Sequence, residues 1–571
     1  MTTDWVKLKQ KRATKSAIPP VATSSDSVAP SLDQESESQP PTRDVAASTS
    51  SKPLDFSHPD LPPCLSVHSI PGKGRGLTAN ESFAPGSTIL STSPLISVLD
   101  NRNLPVRCSA CYRLSEDSAS QKVLQQCSLC HIVQYCSASC QTQDWKLHKM
   151  ECKALRTMAS NAKGKGKGRE TFVPDTSVRA LGRLLWLSEV EGGSLWKQIA
   201  SLESHRSRLT QEEQEQFFQL SMAIAAYVGQ PTVLKSCNGS SELLDLLSRF
   251  SSNSFSLTSP TDLTNIGVTL SPLTALLNHS CPPNAVVVFP SFPTSTDRKT
   301  MKVIAIRPIQ KGEEVTISYV DTAGLKSMRQ KELRERYKFE CGCEECEGKE
   351  ERVDPREAFE CPEKGCDGLL ALRAGGGESI CSICRKHIEV PDMTAALEAA
   401  KTAYEDAEKD QHSDPAVARI SLSNAISSLT SISPRLSPSA YPLSQALQLS
   451  TTLHLSSSSF ALASQSAQSA WRGASLLYPY GHPVRSISST TIARLASIAP
   501  SDPSPEEDLR YWTNLKERSL GLRLMVEALK ECEVGFGKKE GGGEVGRKLR
   551  ALVRDQEEGM EMGRRVMSEG R

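Results

Sequence analysis

The cysteines carry the clearest chemistry in this chain. Eight candidate ligands fall within 45 residues, as Cys108-x2-Cys111, Cys127-x2-Cys130, Cys136-x3-Cys140 and His148-x3-Cys152. They are enough for two tetrahedral zinc ions, because each short spacing lets one turn offer two ligands to one metal. A second cluster, Cys341-x-Cys343-x2-Cys346, has three thiolates and lacks a fourth ligand. Either Cys281 supplies it from far away in sequence, or water does, as in hydrolytic zinc sites; no acid or histidine base for that chemistry stands nearby. A third cluster, Cys361-x4-Cys366 and Cys381-x2-Cys384, has the spacing of a zinc ribbon. Cys64, Cys237 and Cys532 are left over as ordinary thiols. The stretch LLNHSCPPN (276–284) gathers Asn278, His279, Cys281 and Asn284. By residue type alone it suits part of a catalytic triad, half a metal site or a polar turn.

The elements that position these residues follow from pattern and composition. The chain has 571 residues, enough for three or four domains. Lys+Arg is 67 against 66 for Asp+Glu, which gives no global pull toward nucleic acid or membrane. No apolar run is long enough to span a bilayer, and the basic start MTTDWVKLKQKRATK lacks the apolar core of a secretory signal. A reducing, intracellular setting is therefore expected, where clustered cysteines bind metal rather than form disulfides. Residues 1–63, with nine prolines and eleven serines, read as a disordered tail. Residues 64–107 read as short strands broken by Gly and Pro turns, 108–152 as the Cys/His block and 153–174 as a basic glycine-rich linker. Residues 175–250 carry helical periodicity, and 251–350 return to β-type runs such as NAVVVF and MKVIAIRPI before the second cluster. The ribbon-like segment occupies 351–392, and 393–571 is Ala-, Leu- and Ser-rich helix.

The first block resembles a MYND zinc finger in all eight ligand positions, in QYC and in the ending DWKLHKMEC. That resemblance implies interleaved sites, Cys108, Cys111, Cys136 and Cys140 on one ion and Cys127, Cys130, His148 and Cys152 on the other. Beyond it, GKGRG (72–76), NSF (253–255), NHSCPPN (278–284), GEEVTISY (312–319) and FECGCEEC (339–346) occur in the order of SET-domain lysine methyltransferases. A finger placed between the first two resembles the SET and MYND domain (SMYD) family, over residues 64–350. The implied fold is α+β and multidomain: a β-rich SET fold split by the inserted finger, with a tetratricopeptide-like helical C-terminal domain walling the substrate site.

The resemblance also assigns roles. Lys73, Arg75, Asn253, Asn278, His279 and Phe339 are expected to contact S-adenosylmethionine, the cations at its carboxylate and Phe339 on its adenine. The segment at 278–281 is expected to tuck under the chain ending at Tyr319 in a knot-like crossing, with Cys281 completing the 341–346 zinc site. Tyr319 is the expected catalytic residue, with Tyr337 and Phe255 as substrate-channel walls. Glu313 and Glu314 read as turn and surface residues. The family's GVG stands here as Gly267-Val268-Thr269, one glycine short. The function implied is transfer of methyl groups to lysine in histone or other proteins, by a monomer in nucleus and cytoplasm, with zinc at three sites; the ribbon spacing at 361–384, which is not part of the family's core pattern, adds a fourth. An alternative is a catalytically weak adaptor whose finger binds proline-rich peptides. DNA binding through the KGKGKGR run at 163–169 is a further, weaker alternative.

Overall fold

The computed structural model of the chain describes residues 58, 60–114, 123–163, 172–237, 239–294, 300–348, 352–411, 413–498 and 514–569. The tail at 1–57 and the glycine-rich run from 164 to 171 lie outside the described residues.

Strand β1 (Leu65–Ile70) buries Leu65 and Val67, as its alternating sequence requires, and pairs antiparallel with β2 (Gly74–Ala79). Gly72 at φ 73° and Gly74 at φ 76° make the tight turn between them, in a conformation glycine adopts at no steric cost. Strands β3 (Thr88–Thr92) and β4 (Ile96–Leu99) follow. The finger holds the two-residue strands β5 (Gln125–Gln126) and β6 (Gln134–Tyr135), then helix α1 (Ala138–Lys163). This helix runs on past Cys152, so the first half of the expected linker is helix, carried by the helix-forming run KALRTMASNAK.

The expected helical insert is α2 (Thr176–Glu191), α3 (Gly193–Ala200), α4 (Gln211–Val228), α5 (Gln230–Ser236) and α6 (Ser240–Asn253). Asp175 caps α2, and Thr210 with Glu213 forms a capping box on α4. Helix α2 is buried from Ser177 to Ser188, so it is the insert's central element.

The β-rich core then adds β7 (Ser254–Thr258), β8 (Asn265–Leu270), β9 (Asn278–His279), β10 (Ala285–Val288), β11 (Met301–Ala305) and β12 (Thr316–Ile317). Two three-stranded sheets result, in the orders β10-β11-β3 and β4-β8-β7, so strands from both sides of the finger share each sheet. Helix α7 (Lys326–Glu332) precedes the Cys341–Cys346 cluster, and the one-turn helix α8 (Glu344–Glu347) carries Cys346. The ribbon segment is two hairpins, β13 (Ala358–Glu360) with β14 (Leu369–Ala371) and β15 (Gly377–Ile380) with β16 (His387–Val390).

Seven helices complete the described chain: α9 (Thr394–Asp410), α10 (Pro415–Thr430), α11 (Leu443–Ser456), α12 (Phe460–Leu477), α13 (Pro483–Leu495), α14 (Leu515–Gly535) and α15 (Gly543–Glu569). Each packs on its neighbour in sequence, as in a row of helix pairs. Buried Ala463, Ala467, Ala470 and Ala474 let α12 approach its neighbours closely. The last helices seat Ile487, Phe536 and Val545 on Val286, Val288 and Ile304 of the β10-β11-β3 sheet. Among the described residues no single helix is long and apolar enough to cross a membrane.

Candidate active site and metal centres

The short turn Thr274–Leu276 delivers β9 alongside β12, and the two run parallel with Asn278 opposite Thr316 and His279 opposite Ile317. Ser280 N–H then donates to the Ile317 carbonyl at 2.9 Å. Asn284 brackets the exit, accepting from Thr316 N–H at 2.8 Å and donating to the Glu314 carbonyl at 2.8 Å and to Glu313 Oε1 at 3.0 Å. Asn278 Nδ2 donates to the Arg75 carbonyl at 3.2 Å and to Glu314 Oε1 at 2.8 Å, while Lys73 Nζ meets Glu314 Oε2 at 2.8 Å. Three remote segments thus meet around one carboxylate. Gly76 permits this, because a Cβ there would lie 2.7 Å from Asn278 Nδ2.

His279 joins the crossing to a metal cluster. Its Nδ1 accepts from Tyr319 N–H at 3.0 Å, which leaves the proton on Nε2, 3.4 Å from Cys281 Sγ. Burial pushes His279 down to about 4, so the ring is neutral at ordinary pH. Cys281, Cys341, Cys343 and Cys346 place all four sulfurs within 4.8 Å of one another, with Cys281 and Cys346 at 3.6 Å. Zn–S bonds of about 2.3 Å imply tetrahedral edges of about 3.8 Å, so the set fits a closed structural zinc site. Arg329, fully buried, is coupled electrostatically to Cys281 and Cys346 and offsets the negative charge of four thiolates.

Against this cluster stands a ring assembly. Tyr319 lies 4.8 Å from Tyr337 and 6.4 Å edge-on from Phe339, and His279 lies 6.1 Å from Phe339, centroid to centroid. The Tyr319 hydroxyl donates to the Leu277 carbonyl at 2.6 Å. Burial, with Tyr337 and Glu314 adding to it, holds the phenol above its ordinary pKa, so it stays protonated and acts as a hydrogen-bond donor. Ile317, Ser318 and Val320, on either side of Tyr319, form part of the lining of a cleft of about 1550 Å³. Its other walls come from the insert (Leu220, Phe250), from Phe255 and from the turns at the ends of C-terminal helices (Tyr441, Tyr478).

The finger's ligands interleave. Cys108, Cys111, Cys136 and Cys140 form one group and Cys127, Cys130, His148 and Cys152 the other. His148 and Cys152 lie one turn apart on α1. His148 Nε2 faces Cys130 Sγ at 3.6 Å, and its Nδ1 meets Glu151 at 3.3 Å. That is the carboxylate–histidine pairing that orients a metal-binding imidazole. Cys361, Cys366, Cys381 and Cys384 form a fourth group.

The sequence profile of the SET domain matches residues 74–320. Among curated proteins, the chain is 31% identical over 382 residues to histone-lysine N-methyltransferase ASHR1 of Arabidopsis thaliana, covering 64% of this chain and 73% of that protein. It is 31% identical over 286 residues to mouse histone-lysine N-methyltransferase SMYD3, covering 49% of this chain and 61% of the relative. It is 28% identical over 293 residues to N-lysine methyltransferase SMYD2-B of Xenopus laevis, covering 51% and 62% respectively. The chain belongs to the SMYD family of SET-domain protein-lysine methyltransferases. It spans about three-fifths of those SMYD3 and SMYD2-B chains.

Within this SMYD-family frame, the residues singled out from sequence differ in what they do in the structure. Asn278, His279, Tyr319, Tyr337 and Phe339 converge. Lys73 is held by Glu314, and Arg75 donates to the Ser201 carbonyl, so both cations already have protein partners. Asn253 donates to the carbonyls of Glu203 at 2.9 Å and Arg249 at 2.7 Å, closing the end of α6. The His279 side chain is consumed between Tyr319 and Cys281, which leaves its backbone for any ligand. Glu313 is exposed at a turn, as expected, and also accepts from Asn284, whereas Glu314 is more than a surface residue, since it ties Asn278 and Lys73. Thr269, where the family has glycine, is fully buried and spends its hydroxyl on the Ile96 carbonyl at 2.9 Å. Glu314, Arg329 and Glu151 were not anticipated; the only sequence signal was an acid or base beside a ligand motif.

Proposed function

We propose that this protein is an S-adenosylmethionine-dependent protein-lysine N-methyltransferase with a MYND-type finger and structural zinc, acting on histone or non-histone proteins in nucleus and cytoplasm. The observation that carries the reading is the crossing of β9 with β12. It sets Asn278, the His279 backbone and the Tyr319–Tyr337–Phe339 rings beside a closed thiolate cluster, with the residues flanking Tyr319 in the wall of a large cleft. The residues fit the donor chemically. The Gly72–Gly74 turn is open, with nothing within 4 Å of a Cβ at either glycine, so backbone can approach a ligand there. Lys73 offers a half-exposed cation for a carboxylate, Asn278 an amide, and Phe339 a half-buried ring face for a base.

The donor supplies an electrophilic methyl on a sulfonium. The chain's own residues do the rest. A lysine, with a pKa of about 10.4 in water, must arrive as the neutral amine, and the apolar walls of Phe255, Ile317 and Val320 disfavour its charged form. The protonated Tyr319 hydroxyl and the Leu277 carbonyl it binds present fixed dipoles, so catalysis rests on alignment and exclusion of water rather than on a base. Calorimetry with S-adenosylmethionine tests the reading. Micromolar binding is expected for the native chain and a loss of at least tenfold for Asn278→Ala. Absence of binding would favour the adaptor.

A further inference from the structure

The fourth thiol group lies outside the SET match and serves neither the donor contacts nor the finger. Its geometry is that of a closed site. All four sulfurs lie within 4.8 Å of one another, with Cys361 and Cys384 at 3.7 Å and Cys366 and Cys381 at 3.6 Å. These separations match the edges of about 3.8 Å expected for a zinc tetrahedron. Gly368 leaves the room, since a Cβ there would fall 2.3 Å from Cys381 Sγ and 3.2 Å from Cys366 Sγ.

What the site holds together is visible in its surroundings. Arg356 Nε donates to the Thr322 carbonyl at 2.6 Å, three residues past Tyr319, and its Nη2 meets Glu345 at 3.1 Å inside the Cys341–Cys346 cluster. Its own carbonyl accepts from Tyr441 N–H at 2.9 Å. Two residues on, β13 pairs with the segment that precedes α11: Glu360 N–H donates to the Arg435 carbonyl at 2.8 Å, and Ser437 N–H donates to the Ala358 carbonyl at 2.9 Å. Phe359, fully buried, packs with Leu429, Leu436 and Leu443. Residues 355–360 are therefore a strap with one face on the SET core and the other on the helical domain. Cys361 is the next residue. Leu372, which follows β14, and Tyr441 both line the cleft.

We propose that Cys361, Cys366, Cys381 and Cys384 hold a structural zinc ion that locks this strap and so fixes the C-terminal wall of the substrate cleft. This rests on the methyltransferase reading for the identity of the cleft, and the metal claim stands apart from it. The ion at this site sets affinity for the protein substrate and leaves donor affinity unchanged. The strap residues are positioning residues and touch no reacting atom.

The test uses the full chain and its Cys366→Ser/Cys384→Ser variant. Metal analysis should give four zinc per native chain and three in the variant. Hydrogen exchange at 435–441 should speed up at least tenfold in the variant. KM for a protein substrate should rise about tenfold, with S-adenosylmethionine affinity unchanged within twofold. Cys384 is the exposed member of the set. Graded chelation of the native chain should therefore strip this ion first, with Cys384 and Cys366 the first thiols alkylated and the exchange change appearing in step. This arm decides the matter if the variant fails to fold. Three zinc in the native chain, or loss of the fourth with unchanged exchange and KM, would overturn the proposal. A native chain that binds no donor overturns the enzymatic reading instead, and zinc count and exchange still decide the clamp.

Discussion

Replacing Glu151 by glutamine should unseat the finger. The carboxylate is wholly buried and accepts from His148 Nδ1 at 3.3 Å, Arg179 Nε at 3.1 Å, Arg183 Nε at 2.9 Å and Arg183 Nη2 at 2.5 Å. Arg183 also grips Asp144 at 2.9 and 3.2 Å. Two carboxylates and two guanidiniums thus cancel in a region where no member's side chain is more than 7% exposed. Burial pushes the Glu151 pKa up, but Arg183 and Arg179 beside it outweigh that and hold it far below the usual carboxylate range. Glutamine leaves one buried positive charge without an opposite. Breaking one side of such a network costs about 3–5 kcal/mol. Removing the acid that orients His148 should also weaken zinc retention about 10- to 100-fold. Glu151→Gln/Arg179→Met restores neutrality, so its cost should fall below the sum of the two single costs by about 1–3 kcal/mol. Urea unfolding of the four chains measures the energies, and zinc release to a chromogenic chelator measures the metal. Additive costs, or a Glu151→Gln chain within about 1 kcal/mol of native, would refute the reasoning.

Gly267→Ala should abolish soluble folding or cost about 3 kcal/mol or more, because its Cβ would sit 2.0 Å from the Val98 carbonyl oxygen across β4 and β8; expression and urea midpoints check it. His279→Phe keeps the ring but strands the buried Tyr319 N–H, for a loss of about 1–3 kcal/mol, and faster exchange of that amide is the readout. His482, stacked on Tyr478 at 4.4 Å, is pushed down to about 3, chiefly by burial with Arg307 adding to it and Asp321 opposing. Its folded pKa lies below its unfolded value, so its stabilisation is complete above about pH 6.5 and is lost as pH falls toward 3. Urea midpoints should therefore show the native chain losing about 2 kcal/mol more than His482→Gln between pH 7 and pH 5.

The metal clusters were legible because thiolate pairs two to five residues apart are local facts. The insert helices and most strands were legible because their apolar periods are also local. The pairing of Cys281 with a cluster some sixty residues later was one of two options left open by the missing fourth ligand, and the resemblance chose it, since spacing cannot specify a remote partner. Glu314 was missed for the same physical reason. Nothing in the run GEEVTISY says that its second acid will meet Asn278 and Lys73, which approach from two other segments. Nothing in the sequence singles out Arg329 and Glu151, and only burial reveals them as counter-ions to a thiolate cluster and a histidine ligand. The strap at 355–360 was invisible because its partners, Thr322 and Arg435, lie on opposite sides of it in sequence.

The central claim is that the crossed strands aim a protonated Tyr319 and a ring-lined channel at a lysine amine. Methyl transfer from labelled S-adenosylmethionine into histones and a proteome extract tests it most directly, with native chain and Tyr319→Phe run side by side. The account predicts label on lysine with the native chain, and a rate about 100-fold lower for the variant at nearly unchanged donor affinity. Equal rates for the two chains, or no lysine label from a native chain that binds the donor, would contradict it.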